Sequence, residues 1–537
     1  MRKLFTLIIC ISRIQDPTLQ VSMHTIACKL VLNMVDIITR KSDSPGLGRQ
    51  LLMHILAAFI NKLGSLAEWQ IPLCLRHCLS KDASPANCAA GGDGAAPMEG
   101  VEDDGEGLAD AVSADALISC PMAEYPFDLS ALAPLKTRQV SDVQPPALRD
   151  LRGLLKTLVG GLKNIIWGVN HCNQTSQVQA NGNQPRPVRL LAADEVYLFV
   201  HLLRNGLRCF DIYKVSLNGR PRDLRVGTAA KLSSDEKETV ETFASLFSGA
   251  DVITFRDVFG SRIELLVAKI IENNLLLTIP QHILSYSQVS PYFGYSLLDY
   301  LLKNLTLLGG EDKNVSSVLL RLFKLVFGSV SLFADQNDSV LQPFLADIIA
   351  RSLELAPSAR DPINYFMLLR ALFRSIGGGK FELLYKEFLP LLPALLTGLN
   401  RLQDSSHRQQ MKDLFVELCL TVPVRLSSLL PYLHYLMKPL VLALNSNDEL
   451  VSQGLRTLEL CIDNLNPEFL NPIIDPVRVE LMDALWRHLR PAVMGSPHGT
   501  VTLRILGKLG GKIYSDQERT KETKMRGRGG GGILWIL

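Results

Sequence analysis

Two consecutive antiparallel helix pairs can be read between Phe381 and Leu465, and they constrain the fold more than any other feature of the chain. In the clearer pair, Leu429, Leu433, Leu436, Leu440 and Leu444 fall on one face of a first helix. Val451, Leu455, Leu458, Ile462 and Leu465 do the same on a second. Both stripes have helical spacing. The joint is Asn445-Ser446-Asn447-Asp448, a short polar turn in which Asp448 is expected to cap the second helix by accepting a backbone N–H. Neither helix can bury its stripe alone, so each pair must stack on a neighbour. That is the logic of a helical solenoid, whose usual product is a binding surface rather than a reaction centre.

The period agrees. First helices of three successive pairs begin near Gln342, Phe381 and Ser427, offsets of 39 and 46 residues, close to the roughly 40–47 of HEAT and armadillo repeats. Gly377-Gly378-Gly379 and Gly309-Gly310 are expected to end helices, and Asp361-Pro362 to start one. Pro390, Pro393 and Pro439 should kink the first helices that contain them. Ser233 with Glu236 reads as a capping box, and the helix over Asp194–Asn205 should stop at Gly206. No convincing run of alternating strands occurs. The fold class is therefore all-α, a HEAT-type helical solenoid with disordered insertions.

The chain divides by composition into HEAT-like helices at 1–80, an acidic insertion at 81–147, a helix at 148–172, a polar linker at 173–188, a repeat array at 189–513 and a basic, Gly-rich tail at 514–537. Asp82–Ser130 holds eleven acidic residues and no Lys or Arg; it cannot bury enough apolar surface to offset chain entropy and should be disordered. It could dock a basic partner, although surface insertion between repeats is the plainer reading. Arg2-Lys3 before Leu4–Ile11 imitates a signal peptide but lacks a small-residue cleavage site, so the chain reads as starting inside a solenoid helix. In the tail, Arg526-Gly527-Arg528-Gly529-Gly530 resembles a single RGG element, and the plainer reading is an alternative ending on a truncated product.

Chemistry is sparse. Net charge is +3, which points to neither nucleic acid nor membrane as the main partner. No uninterrupted apolar run reaches the roughly 18 residues of a spanning helix. Ten cysteines are scattered without a Cys-x-x-Cys, which suits a reducing compartment. Cys74, His77 and Cys78 lie close together, but no second ligand pair follows, so no metal is expected. Gly377–Lys380 fails as a phosphate loop, because Phe381 stands where Ser or Thr is required. Arg204, Arg208, Lys214, Arg220, Arg222 and Arg225 form a modest basic stretch, interrupted by Asp211 and Asp223, that reads as a solvated face. No catalytic residue and no cofactor are expected.

Several segments carry a resemblance. Val240–Ser248 reads VETFASLFS, Asp251–Ser261 DVITFRDVFGS, Leu383–Leu392 LLYKEFLPLL, Leu429–Leu442 LLPYLHYLMKPLVL and Thr502–Lys512 TLRILGKLGGK. Together they resemble the N-terminal HEAT region of a very large scaffold member of the family of kinases related to phosphatidylinositol 3-kinase. The resemblance runs from about Arg149 to Lys512 and extends through residues 1–80. It implies a nuclear, non-catalytic scaffold segment of SAGA-type and MYST-type histone acetyltransferase coactivator complexes, receiving transcriptional activators on chromatin. It also implies a kinase-like domain that is catalytically dead and lies far beyond this chain. The alternative is an importin-like HEAT transport adaptor, for which the charge pattern is too neutral.

Acidic activation segments would suit a groove whose apolar gaps lie beside basic residues. Arg401, Arg408 and Lys412 near one helix pair, and Arg425, Lys438 and Arg456 near the next, are the candidate contacts. The pair at Asp475–Leu506 is expected to expose Leu481, Leu485, Trp486 and Leu489 for want of a following repeat.

Overall fold

The computed structural model describes residues 2–16, 19–41, 45–82, 147–178, 191–225, 231–377, 381–404, 407–423, 425–489 and 498–510. Nearly all of the acidic insertion, most of the polar linker and the whole tail lie outside them. The fold is an all-α HEAT-type solenoid. Among the described residues no strand forms; one isolated antiparallel bridge joins Val215 and Pro221. The chain separates into two compact units, Met1–Lys303 with Asp312–Ser329, and Asn304–Glu311 with Val330–Leu537.

The first unit contains α1 (Arg2–Gln15), α2 (Val21–Lys41), α3 (Pro45–Ser65), α4 (Ile71–Asp82), α5 (Leu148–Val178), α6 (Ala193–Cys209), α7 (Ser234–Ser248), α8 (Val252–Glu272), α9 (Thr278–Leu284), α10 (Ser290–Lys303) and most of α11 (Lys313–Leu332). A π-helical turn, Leu66–Gln70, joins α3 to α4. One layer runs α3, α6, α8, α10 and the other α2, α5, α7, α9, each helix packed on the next. The inner face of α5 is the one its spacing predicts: Leu151, Leu154, Leu155, Leu158, Leu162 and Ile165 are all buried. This helix continues to Val178, beyond the predicted 172.

Gly206 does not end its helix. It lies inside α6, where a Cβ would stand 2.2 Å from Cε2 of Phe243. The glycine is there because the Phe243 ring of α7 packs onto the α6 backbone, a use that periodicity alone cannot separate from a helix stop. Phe243 and Phe247 belong to a chain of edge-to-face rings linking α6, α7, α8 and α10 through Phe199, Phe247, Phe259 and Phe293.

The second unit repeats one plan. Its first helices are α12 (Ala334–Leu355), α14 with α15 (Glu382–Phe388, Leu392–Gln403), α17 with α18 (Leu426–Leu429, Leu433–Leu444), and α20 with α21 (Pro467–Ile474, Arg478–Arg487). Its second helices are α13 (Ile363–Ile376), α16 (Gln409–Leu420), α19 (Asp448–Asn464) and α22 (498–510). Hydrogen bonds between equivalent places in successive repeats join residues 42 to 47 apart in sequence, as in Arg487–Asn445, Gln342–Glu387 and Arg370–Glu417. The register of the array is thus visible in its side-chain contacts and falls in the HEAT range.

Three first helices break at the same place, each through a 3₁₀ turn holding a proline: Leu389–Leu391, Leu430–Tyr432 and Asp475–Val477. Pro390 therefore kinks its helix as expected, and Pro393 follows within the first turn of α15. Pro439 does not; α18 runs through it unbroken, and the break in that helix falls at Pro431. The reason lies on a neighbouring helix. Pro439 cannot donate to the carbonyl of Tyr435, and the Asn400 side chain donates to that carbonyl instead, at 2.8 Å.

The turn before α19 also differs in detail. Asn447, not Asp448, is the cap; its side chain accepts from the N–H of Leu450 at 3.1 Å. In the last repeat, Leu481 and Leu485 are buried rather than exposed, because α21 packs on α18; Trp486 is 58% exposed and Leu489 half-buried. Among the described residues, three helical stretches are long and apolar enough to cross a membrane by length and composition: Val21–Thr39, Leu47–Leu79 and Lys313–Leu332. Counting only uninterrupted apolar runs missed them, since isolated polar residues punctuate each. Of the most apolar 18-residue window of each, 33%, 61% and 56% respectively is buried within the fold.

Candidate docking groove

Second helices α13, α16 and α19 lie side by side and enclose a cleft of about 690 Å³. Its apolar lining is Ile363 and Met367 from α13, Leu414 from α16 and Leu450 from α19. Ile363 and Met367 are half-buried at the edge of a helix whose opposite face, Leu368, Leu369 and Leu372, is committed to the core, whereas Leu414 and Leu450 form the buried floor, Leu450 packing with Val416 and Ala443.

Charge in the cleft is ordered by one carboxylate. Glu417, largely buried, accepts from Arg370 Nε and Arg374 Nη2 through the same oxygen, each at 2.7 Å. The two arginines come from one helix at i and i+4, which puts them on a common face. Arg374 keeps more than half of its side chain exposed, so one face of its guanidinium remains open to a ligand. Arg456 of α19 lines the same cleft and is exposed, with no ion pair among the described residues. Asp413 is occupied locally, accepting from Gln409 at 2.8 Å and Ser446 at 2.9 Å. On α19 itself, Glu459 is pulled down to about 2 by hydrogen bonds from Arg504 and Lys508 of α22, which fastens the next second helix to the row.

Of the six residues singled out in the sequence, the structure brings only Arg456 into the cleft. Arg408 stands at the N-cap position of α16 without a side-chain cap bond, and Lys412 follows it by one turn; neither lines the cleft. Arg401 is exposed at the end of α15, in the first-helix layer. Lys438 also stands in that layer, donating to Asp404 at 2.6 Å. Arg425 bonds Glu382 and lies over the Tyr385 ring at 5.3 Å. Arg370 and Arg374 escaped the sequence reading because they sit on a leucine-rich helix whose partner, Glu417, is a full repeat away. A signal existed in principle: the offset from Arg374 to Glu417 is 43 residues, one repeat.

A second, smaller cleft of about 470 Å³ lies in the first unit, between α5 and α7, where Lys163 and Trp167 face Ser245, Ser248 and Tyr286. The basic stretch is less solvated than its sequence suggests. Arg222 and Arg152 converge on Glu236, at 3.0 and 2.6 Å, and Glu236 also completes the predicted capping box by accepting from Ser233 N at 2.9 Å. Among the described residues, no group of three or more His, Cys, Asp or Glu is placed to hold a metal ion.

The chain matches the family described as the Tra1 HEAT repeat central region over residues 4–492. It is 42% identical over 518 residues to the human protein named transformation/transcription domain-associated protein, covering 95% of this chain and 13% of that protein. It is 41% identical over 500 residues to transcription-associated protein 1 of Drosophila melanogaster, covering 93% and 12%. It is 38% identical over 397 residues to the SAGA complex/NuA4 acetyltransferase complex subunit TRA1 of Saccharomyces cerevisiae, covering 72% and 11%. The chain thus spans about an eighth of the length of these relatives. With its two-layered, proline-broken repeats and that extent of match, the chain belongs to the Tra1 family, as part of its central HEAT repeat region.

Proposed function

We propose that this chain is a non-catalytic scaffold and activator-docking segment of nuclear histone acetyltransferase coactivator complexes of the SAGA and MYST types. The relatives named for the SAGA and NuA4 complexes support the setting. The observation that carries the docking role is the cleft between α13, α16 and α19, with apolar gaps beside Arg370, Arg374 and Arg456. An acidic segment with interspersed apolar residues fits such a surface. Its apolar side chains enter the gaps and fold it into a short helix, while its carboxylates meet guanidinium groups that already have exposed faces. The alternative, an importin-like transport adaptor, has no feature in its favour beyond the repeat type.

Binding should be weak, about micromolar or poorer, because the peptide is ordered on docking. It should weaken with salt, because much of the attraction lies between exposed charges. Fluorescence anisotropy with an acidic activation-domain peptide tests this. Reversing charge by Arg374→Glu and Arg456→Glu together, two exposed arginines of the cleft, is expected to lower affinity by about tenfold, from the modest energy of each exposed pair. Arg401→Glu with Lys438→Glu, on the first-helix layer, should leave the affinity nearly as it was. Unchanged binding in the folded Arg374→Glu, Arg456→Glu variant, or a larger loss from the second pair, would remove the cleft from consideration.

A further inference from the structure

A different surface, in the first unit, carries a denser charge than its surroundings can account for. Tyr197, His201, Arg204 and Arg208 recur at i, i+4, i+7 and i+11 along one face of α6. The Tyr197 and His201 rings meet edge to face at 4.1 Å. Arg262 of the adjoining α8 is close enough for its charge, with that of Arg204, to bear on His201. Burial first, and then these two arginines, hold the imidazole down at about 4. Arg262 is also where α8 leaves helical geometry, with φ −133° and ψ 18°, so the helix is broken at the residue that joins the cluster.

The cluster contains three guanidinium groups and one carboxylate. Burial weighs most against the Arg204 charge; Arg208 and Arg262 add repulsion, while Glu68 and the Tyr197 hydroxyl act the other way. Glu68 reaches Arg208 at 3.9 Å, a loose contact. Arg204 Nε and His201 Nε2 are both buried without a hydrogen-bond partner. Leaving a buried donor unpaired is costly, and like charges this close repel. The neighbouring cations are settled by contrast: Lys214 pairs with Asp211 at 2.9 Å, Lys269 with Glu272 at 2.7 Å and Arg222 with Glu236. The excess is therefore local to α6 and α8, and a missing anion would resolve it.

We infer that this cluster is a binding site for a phosphoryl group, carried on a phosphoserine or phosphothreonine of a partner protein, held by Arg204, Arg208 and Arg262. Guanidinium forks match phosphate oxygens two at a time, which suits half-buried arginines fixed on helices. The site is one compact spot rather than a track, because the flanking basic residues are paired; a nucleic-acid backbone would need several phosphate contacts in a row. Trp69, the residue after Glu68, is 54% exposed and offers a peptide apolar contact besides the phosphate. The site belongs to the first unit and the groove of α13, α16 and α19 to the second, and the site does not depend on the function proposed for the groove.

The test uses the whole chain, immobilised, and a synthetic peptide library with one central phosphoserine and randomised flanks, beside its unphosphorylated counterpart. Phosphorylated peptides should be retained by about tenfold over the others, the effect of one or two charge-assisted hydrogen bonds. Arg204→Gln with Arg262→Gln should remove that preference with the melting temperature unchanged. Should that pair lower the melting temperature, Arg262→Lys, which keeps the charge but not the fork, should still lose most of the preference. Equal retention of the two libraries would overturn the proposal, as would a preference that survives both variants. Oligothymidine competing better than inorganic phosphate at equal phosphate concentration would assign the site to nucleic acid and also overturn it. Inorganic phosphate binding as tightly as the retained peptides would show a simple anion site and do the same.

Discussion

Glu236→Ala is expected to destabilise the first unit by about 3–5 kcal/mol, because it leaves the Arg152 guanidinium buried with no countercharge. Arg152 and Glu236 are only 9% and 5% exposed. Arg152 also donates to the carbonyls of Ile212 and Val215 and lies over the Tyr213 ring at 5.4 Å. The carboxylate therefore joins α5, the loop that follows α6 and the start of α7. That loop is itself built to return: Gly219, at φ +83°, turns the chain so that Arg222 N donates to Lys214 O at 2.8 Å and the Arg222 side chain meets Glu236. Burial alone would raise the Glu236 carboxyl, but Arg222, the Ser233 N–H and Arg152 outweigh it, so the group is held below the ordinary carboxylate range. A depressed carboxyl contributes stability above its unfolded value, near pH 4.3, and loses it as pH falls through the folded value. Denaturant titrations followed by helical circular dichroism should show the full loss at neutral pH, and a gap that narrows as the wild-type chain is acidified below about pH 4. A cost under about 1 kcal/mol, the level of an exposed pair, would mean that the network is not desolvated.

Phe247→Ala should cost a comparable amount, about 3–5 kcal/mol, by opening a cavity in a site that cannot collapse. Its ring meets Phe243 and Phe259 at 5.3 Å and Phe199 at 6.3 Å, so three helices lose contacts at once. The contacts should also couple. A double-mutant cycle with Phe259→Ala should return an interaction energy of about 0.5–1.5 kcal/mol, the usual worth of an edge-to-face pair beyond its burial. Additive losses would show that the rings merely share a core.

The parts of this fold that were legible in the sequence are those set by a local period or a short-range hydrogen bond. Leu151 to Ile165 on α5, the leucine stripe of α18 and the Ser233–Glu236 box depend on neighbours within a few turns, and each formed as its spacing required. What was not legible depends on a distant partner. Gly206 is a contact point because Phe243 arrives there, and Pro439 is tolerated because Asn400 takes over a carbonyl 35 residues away. The cleft follows the same rule. Its row of second helices was foreseeable from the repeat, but choosing basic residues by nearness in sequence gathered Arg401, Arg425 and Lys438 from the opposite layer. Arg370 and Arg374, one repeat before Glu417, were passed over.

The central claim is that this array serves as a docking scaffold for acetyltransferase complexes, and purification of the tagged chain from nuclear extract tests it most directly. Acetyltransferase-complex subunits should be enriched over a tag-only control, and should remain so when Arg374 and Arg456 are reversed, since those residues are assigned to activators and not to the complex. Recovery of nuclear pore proteins without acetyltransferase subunits would contradict the account and favour a transport adaptor.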